Sequence, residues 1–119
     1  MRNFRELKVW EKAHRWAVDV YRITGPFPSE ERFGLVAQLR RSAASVPANI
    51  AEGCGRESDR DLARFLSIAT GSACEAEYHL LLAHDLGYLG EEEYRDLDRR
   101  INEVKRMLNG FMQWLNPKT

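Results

Sequence analysis

Residues Gln38–Arg56 read QLRRSAASVPANIAEGCGR: two adjacent arginines, a run of small residues, a proline and a Gly-Cys-Gly ending. Val36, Leu39, Ala43, Val46 and Ile50 recur through this region at steps of three and four, which sets one apolar stripe along an α-helix. Placing the other residues around that helix at about 100° each leaves Arg41, Ser45, Ala48 and Glu52 opposite the stripe, flanked by Ser42, Ala44, Asn49 and Ala51. A solvated face would carry Lys, Glu and Gln. Here the charges stand at the ends and the middle is almost bare backbone, so a second helix can approach closely from outside. Two readings of this face stay open: alanine as a good helix former facing water, or a helix-helix interface between subunits. The interface is preferred, with Arg41, Ser45, Ala48, Asn49 and Glu52 as its expected contact residues.

Pro47 needs its own account, because a proline inside a helix removes one ladder bond, crowds the preceding turn and costs about 3 kcal/mol. A kink is expected, with the carbonyl of Ala43 freed for another donor. The alternative is a break, with Pro47 opening a separate short helix. Val46 and Ile50 keep one register across the proline, which favours the kink.

Outward from this helix the same period continues and no strand pattern competes. From about Leu7 to Thr24, Val9, Ala13, Trp16, Val20 and Ile23 form a stripe that Gly25-Pro26-Phe27-Pro28 ends. Ser29 is the expected N-cap of the second helix, with Glu30 and Glu31 at the positive end of its dipole. Ser58 and Asp61 resemble a capping box for a third helix with the stripe Leu62, Leu66, Ala69, Ala73, Ala76, Leu80 and Ala83, which Gly87 closes. After Gly90, Glu91–Glu93 open a fourth helix with the stripe Tyr94, Leu97, Ile101, Val104, Leu108, Phe111 and Leu115, which Pro117 stops. Four helices of roughly 18 to 28 residues on short loops bury their stripes together by running antiparallel. The expected fold is all-α: an up-down-up-down four-helix bundle with a kinked second helix, forming a single domain over residues 1–119.

Composition narrows the function classes. Lys plus Arg equal Asp plus Glu at 18 each, so no global field draws the chain to nucleic acid or membrane, and any basic surface must be local. The first residues, MRNFRELKVWEK, scatter charges and carry no apolar targeting core, and the longest apolar run, Leu80–Ala83, is far too short to span a bilayer. A soluble cytoplasmic protein without membrane association is expected. Cys54 and Cys74 lie in different helices without metal-ligand spacing and are read as reduced thiols.

Catalytic signals are weak throughout. A di-iron carboxylate bundle needs paired Glu-x-x-His motifs, whereas Glu75 and His79 stand at i, i+4 with no second such pair. His14 and His84 lack ligand partners at metal spacing, Gly53 and Gly55 end a helix instead of opening a phosphate loop, and Cys54 has no base beside it in the pattern. The chain is read as a non-enzyme with no cofactor, metal or catalytic residue.

Two features point to binding. The C-terminal Phe111, Met112, Trp114 and Leu115 project in too many directions for one bundle core, and Trp10 and Trp16 flank different sides of the first helix. Burial against a second subunit, with Trp114 in the interface, or against early residues such as Phe4 would account for this; fraying with one exposed tryptophan is the other reading. Arg40, Arg41, Arg56, Arg60 and Arg64 are the residues that would contact nucleic acid. They fall into two groups several turns apart, and Glu52, Glu57, Asp59 and Asp61 interleave with the second, so ion pairing within or between subunits is the favoured use.

The segments VWEKA (9–13), VYRITGPFPSEERFGLVAQLRRSAASVPANIAEGCGR (20–56) and RFLSIATGSACEAEYHLLLAHDLGYL (64–89) resemble the bundle proteins encoded by intervening sequences in bacterial large-subunit ribosomal RNA genes. The same superfamily includes the accessory variability determinant of diversity-generating retroelements. The resemblance implies a homopentameric barrel of bundles without established catalytic activity. For the retroelement protein it implies binding of a reverse transcriptase and nucleic acid through a basic surface, from which this neutral chain departs. The expected function is therefore an oligomeric structural or adaptor protein whose first partner is itself, most simply as a pentamer, with a further protein partner. A nucleic-acid-binding accessory role is the alternative.

Overall fold

The computed structural model describes residues 1–115 and contains four α-helices: α1 (Lys8–Thr24), α2 (Leu35–Cys54), α3 (Asp59–Asp85) and α4 (Glu91–Leu115). Short 3-10 turns at Phe4–Glu6 and Ser29–Glu31 precede α1 and α2. The Pro117 stop lies outside the described residues.

Among the described residues, each helix packs on its neighbours in a closed cycle, α1 on α2, α2 on α3, α3 on α4 and α4 back on α1, while the two diagonal pairs do not meet. With short connections, that cycle is an antiparallel up-down-up-down bundle. The core is the union of the apolar stripes, including Ala13, Trp16 and Val20 from α1, Leu39, Ala43, Val46 and Ile50 from α2, Leu66, Ala69, Ala73, Ala76 and Leu80 from α3, and Leu97, Ile101, Val104 and Leu108 from α4. Trp16 is fully buried, and its indole N–H donates to the carbonyl of Leu97 on α4 at 2.9 Å.

Local chemistry fixes the helix ends. The N–H of Asp61 donates to Ser58 Oγ at 3.0 Å, the cap expected for α3. At its other end Gly87 has φ +81, Tyr88 N–H donates to Ala83 O, and Gly87 N–H donates to His84 O. This is the left-handed glycine stop that returns two orphan carbonyls to hydrogen bonds.

Helix α2 corrects one expectation. Ser29 does not cap it: Ser29–Glu31 form a separate 3-10 turn and α2 begins at Leu35. The reason is tertiary. Phe27 is buried with its ring 5.5 Å from that of Tyr88, which holds the Pro-flanked turn down on the bundle. The chain must then rise to the start of α2. Glu31 supplies the acceptor there, taking the N–H of Leu35 at 3.3 Å. Helix α2 then runs unbroken through Pro47, so the break is overturned and Pro47 is a buried residue of one continuous helix.

The Gly-Cys-Gly ending of α2 also has a packing cause. A Cβ on Gly53 would lie 2.9 Å from both Leu62 Cδ1 and Phe65 Cβ and 3.3 Å from Leu62 O, so the end of α2 approaches α3 more closely than any side chain allows. Alanine is ordinarily better than glycine inside a helix by about 1 kcal/mol. Gly53→Ala should nevertheless destabilise the protein by about 1–3 kcal/mol, because the overpacking is against backbone and a ring-bearing Cβ. Urea unfolding measures this, and a stabilised variant would contradict the close approach.

Candidate interaction site

The small face of α2 does not stand alone. With α1 it forms an open apolar groove of about 460 Å³. One wall is Ala44, Pro47, Ala48 and Ala51 of α2; the other is Trp10, His14, Ala17, Val18 and Tyr21 of α1. Phe4 closes one end, its ring edge-on to Trp10 at 4.9 Å, and His14 stacks on the other side of Trp10 at 4.9 Å. The early-residue reading of Trp10 is thus observed: Phe4 half-covers it, whereas Trp16 goes wholly into the core.

The groove exists because two helices that need a common core also carry residues too small to fill the space outside it. Ala44, Ala48 and Ala51 leave the wall low. Tyr21 remains 46% exposed at the rim.

Of the residues expected at an interface, only Ala48 lines this groove. Arg41 is drawn across to α3, where its Nη2 lies 2.6 Å from Glu75 Oε2. Ser45 and Asn49 are half-buried outside the groove, and the Asn49 amide donates to Ser45 O at 2.8 Å. Glu52 pairs with Arg56 at 2.9 Å. Ser42, expected beside the outer face, is instead buried, its hydroxyl donating to Gln38 O. Trp114 is 68% exposed on α4, with the Arg2 guanidinium 5.8 Å from its ring centre. The α1 wall was legible and unread, since Trp10, His14, Val18 and Tyr21 recur at helical steps of four, four and three.

The arginines separate as their acidic neighbours imply. Arg56 and Arg64 lie over the ring of Phe65 at 4.6 and 4.5 Å, and Arg64 pairs with Asp61 at 3.1 Å. Arg60 is exposed and has no acidic partner among the described residues. Arg40 turns the other way, donating to Thr24 Oγ1 at 2.8 Å and Tyr21 O at 3.0 Å. The five arginines therefore form no single surface.

Among the described residues no three His, Cys, Asp or Glu groups are placed to hold a metal ion. Glu75 is committed to Arg41, and burial pushes the Cys54 thiol up from its ordinary pKa, against the thiolate that a nucleophile needs. No helix of the described residues is long and apolar enough to cross a membrane.

Comparison with known proteins gives a consistent result. Residues 5–110 match the family model described as 23S rRNA-intervening sequence protein. The fold is similar to the crystal structure of a protein of unknown function from the S23 ribosomal protein family of Bacteroides thetaiotaomicron, with TM-score 0.80 and 28% sequence identity over 88% of this chain and 98% of that one. No curated protein gives a significant match.

Proposed function

From the premise that this chain belongs to the 23S rRNA-intervening sequence protein family, we propose that it is a non-enzymatic, cytoplasmic helical bundle that self-associates through the α1–α2 groove and acts as an oligomeric structural adaptor. The observation that carries this is the groove itself: an open apolar channel with an alanine-lined wall on a chain of zero formal charge. Contiguous apolar surface of this kind marks an interaction site. A second copy is the favoured occupant, because the same molecule exposes the large side chains that such a channel receives, Tyr78 and Leu81 on α3 and Trp114 on α4. The homopentameric barrel that the sequence resemblance implies makes a closed ring of five the expected assembly.

Light scattering coupled to gel filtration tests this directly. A pentamer is the expected mass. A monomer at micromolar concentration would overturn self-association, whereas a dimer or tetramer would retain it and remove the five-fold ring.

The nucleic-acid alternative is disfavoured by the ion pairs of Arg41, Arg56 and Arg64. RNA binding should be weak at physiological salt, and replacing Arg60 and Arg64 together by alanine should change it little. If those arginines instead served as phosphate contacts, the log-log slope of affinity against salt would be about −0.7 per contact for single strands and would flatten in the double variant. That collapse would promote the accessory role over the adaptor.

A further inference from the structure

Beside the turn between α1 and α2 lies a second concavity, of about 300 Å³, whose walls include Thr24, Phe27, Ser29, Arg32, Val36 and Arg40. It is separate from the apolar groove and differs from it in chemistry. Both of its charged residues are arginines, and no carboxylate lines it.

These arginines differ in their electrostatics from most others in the molecule. Arg22, Arg41, Arg56, Arg64, Arg95, Arg99 and Arg100 all have acidic partners. Among the described residues Arg40 has only neutral ones: Nε donates to Thr24 Oγ1 at 2.8 Å, Nη2 donates to Tyr21 O at 3.0 Å, and the guanidinium lies 4.9 Å from the Tyr21 ring centre. Thr24 is itself held, its hydroxyl 2.8 Å from the carbonyl of Val20. The guanidinium is therefore fixed in direction while its charge stays uncompensated and some of its N–H groups stay uncommitted. Arg32 stands in the turn just before α2, its guanidinium 6.0 Å from the Phe33 ring centre and likewise without an acidic partner among the described residues. Glu31, in the same turn, is engaged by the N–H of Leu35 and the hydroxyl of Tyr88.

The wall between the arginines is rigid. Pro26 and Pro28 restrict the turn, Phe27 N–H donates to Thr24 O at 3.1 Å, and Phe27 is buried against Tyr88. The exposed Ser29 stands at the rim, where its hydroxyl can donate to an anion. Two unpaired guanidinium groups and a hydroxyl around a small preformed cavity make a receptor for a tetrahedral oxyanion, since arginine forks match phosphate oxygens in geometry as well as charge.

We propose that this pocket binds a phosphoryl group, with Arg32 and Arg40 as its cationic ligands and Ser29 as a neutral donor. The group is a free phosphate ion or the phosphate of a small monoester. Tyr21 is shared with the groove, but the proposal does not rest on the adaptor reading and can fail without touching it.

Calorimetric titration of the full chain at low ionic strength tests it, with inorganic phosphate and adenosine 5′-monophosphate as separate titrants. Saturable phosphate binding with Kd of about 1 mM or tighter is expected. Arg32→Gln should weaken it about ten-fold or more with an unchanged circular dichroism spectrum, because Arg32 is exposed and its one structural hydrogen bond is made by its backbone N–H to Ser29 O. Arg60→Gln, which removes an equally unpaired arginine from α3, should leave it within about two-fold. Binding of both titrants assigns the pocket to the phosphoryl group of small esters, and binding of phosphate alone assigns it to the free ion. Absence of saturation by both titrants at about 20 mM, or equal losses in the two variants, would overturn the site and leave only diffuse charge attraction.

Discussion

Replacing Trp16 by alanine is expected to cost about 3–5 kcal/mol, a large part of the roughly 5–15 kcal/mol that holds a domain of this size folded. Trp16 is fully buried, and it is the one large side chain by which α1 reaches both the common core and the backbone of α4. The core face of α3 is supplied largely by alanines, Ala69, Ala73, Ala76 and Ala83, which cannot move far to refill the space. The cavity would therefore persist, and its cost adds to the lost transfer of the indole from water. Trp16→Phe keeps an aromatic ring in the core and loses the pyrrole portion of the indole together with the donor to Leu97 O, so it combines a smaller cavity with the lost hydrogen bond. About 1–2 kcal/mol is expected for that variant. Urea midpoints at constant slope measure both losses. A loss below 1 kcal/mol for the alanine variant would mean that α1 is not an integral wall of the bundle.

Helix content, order and stripes were legible because every helix repeats its apolar residues at steps of three and four over several turns. The pattern survives even where single residues shift: Ile23 is half-buried and Thr24 takes the buried place beside it, the hydroxyl satisfied by Val20 O. The beginning of α2 was not legible. Ser29 followed by two glutamates is a good local cap, but the cap competes with the burial of Phe27 and with the reach of Glu31 to Leu35, and neither pull is visible locally. The groove was half-legible. The alanine-rich wall stood out as an anomaly on α2, while its partner wall on α1 hid among residues that read as surplus. Arg41 shows the limit most plainly, since the carboxylate that neutralises it is Glu75, 34 positions away on another helix. Sequence spacing ranks neighbours on one helix and says little about which acid a long side chain finds across a bundle.

Ala48→Glu is expected to reduce the assembled protein to monomers while leaving each protomer folded. Ala48 is exposed in the single chain and stands in the middle of the groove wall, between Ala44 and Ala51. A glutamate there meets water in the monomer, so helicity and the urea midpoint should stay within about 0.5 kcal/mol of the parent after allowance for lost association. In the assembly the same side chain would crowd a close helix approach and carry a carboxylate into apolar surroundings. Leaving a charge unpaired in such a site costs several kcal/mol at each interface, and a closed ring repeats that cost at every contact. Ala37→Glu is the matched control: it adds the same charge to an exposed position of α2 outside the groove and should preserve assembly. Light scattering on the two variants at equal concentration gives the answer. Loss of the oligomer in Ala48→Glu alone assigns the interface to the groove; equal loss in both would trace it to net charge, and no loss in either would mean that the alanine wall faces water in the assembled protein.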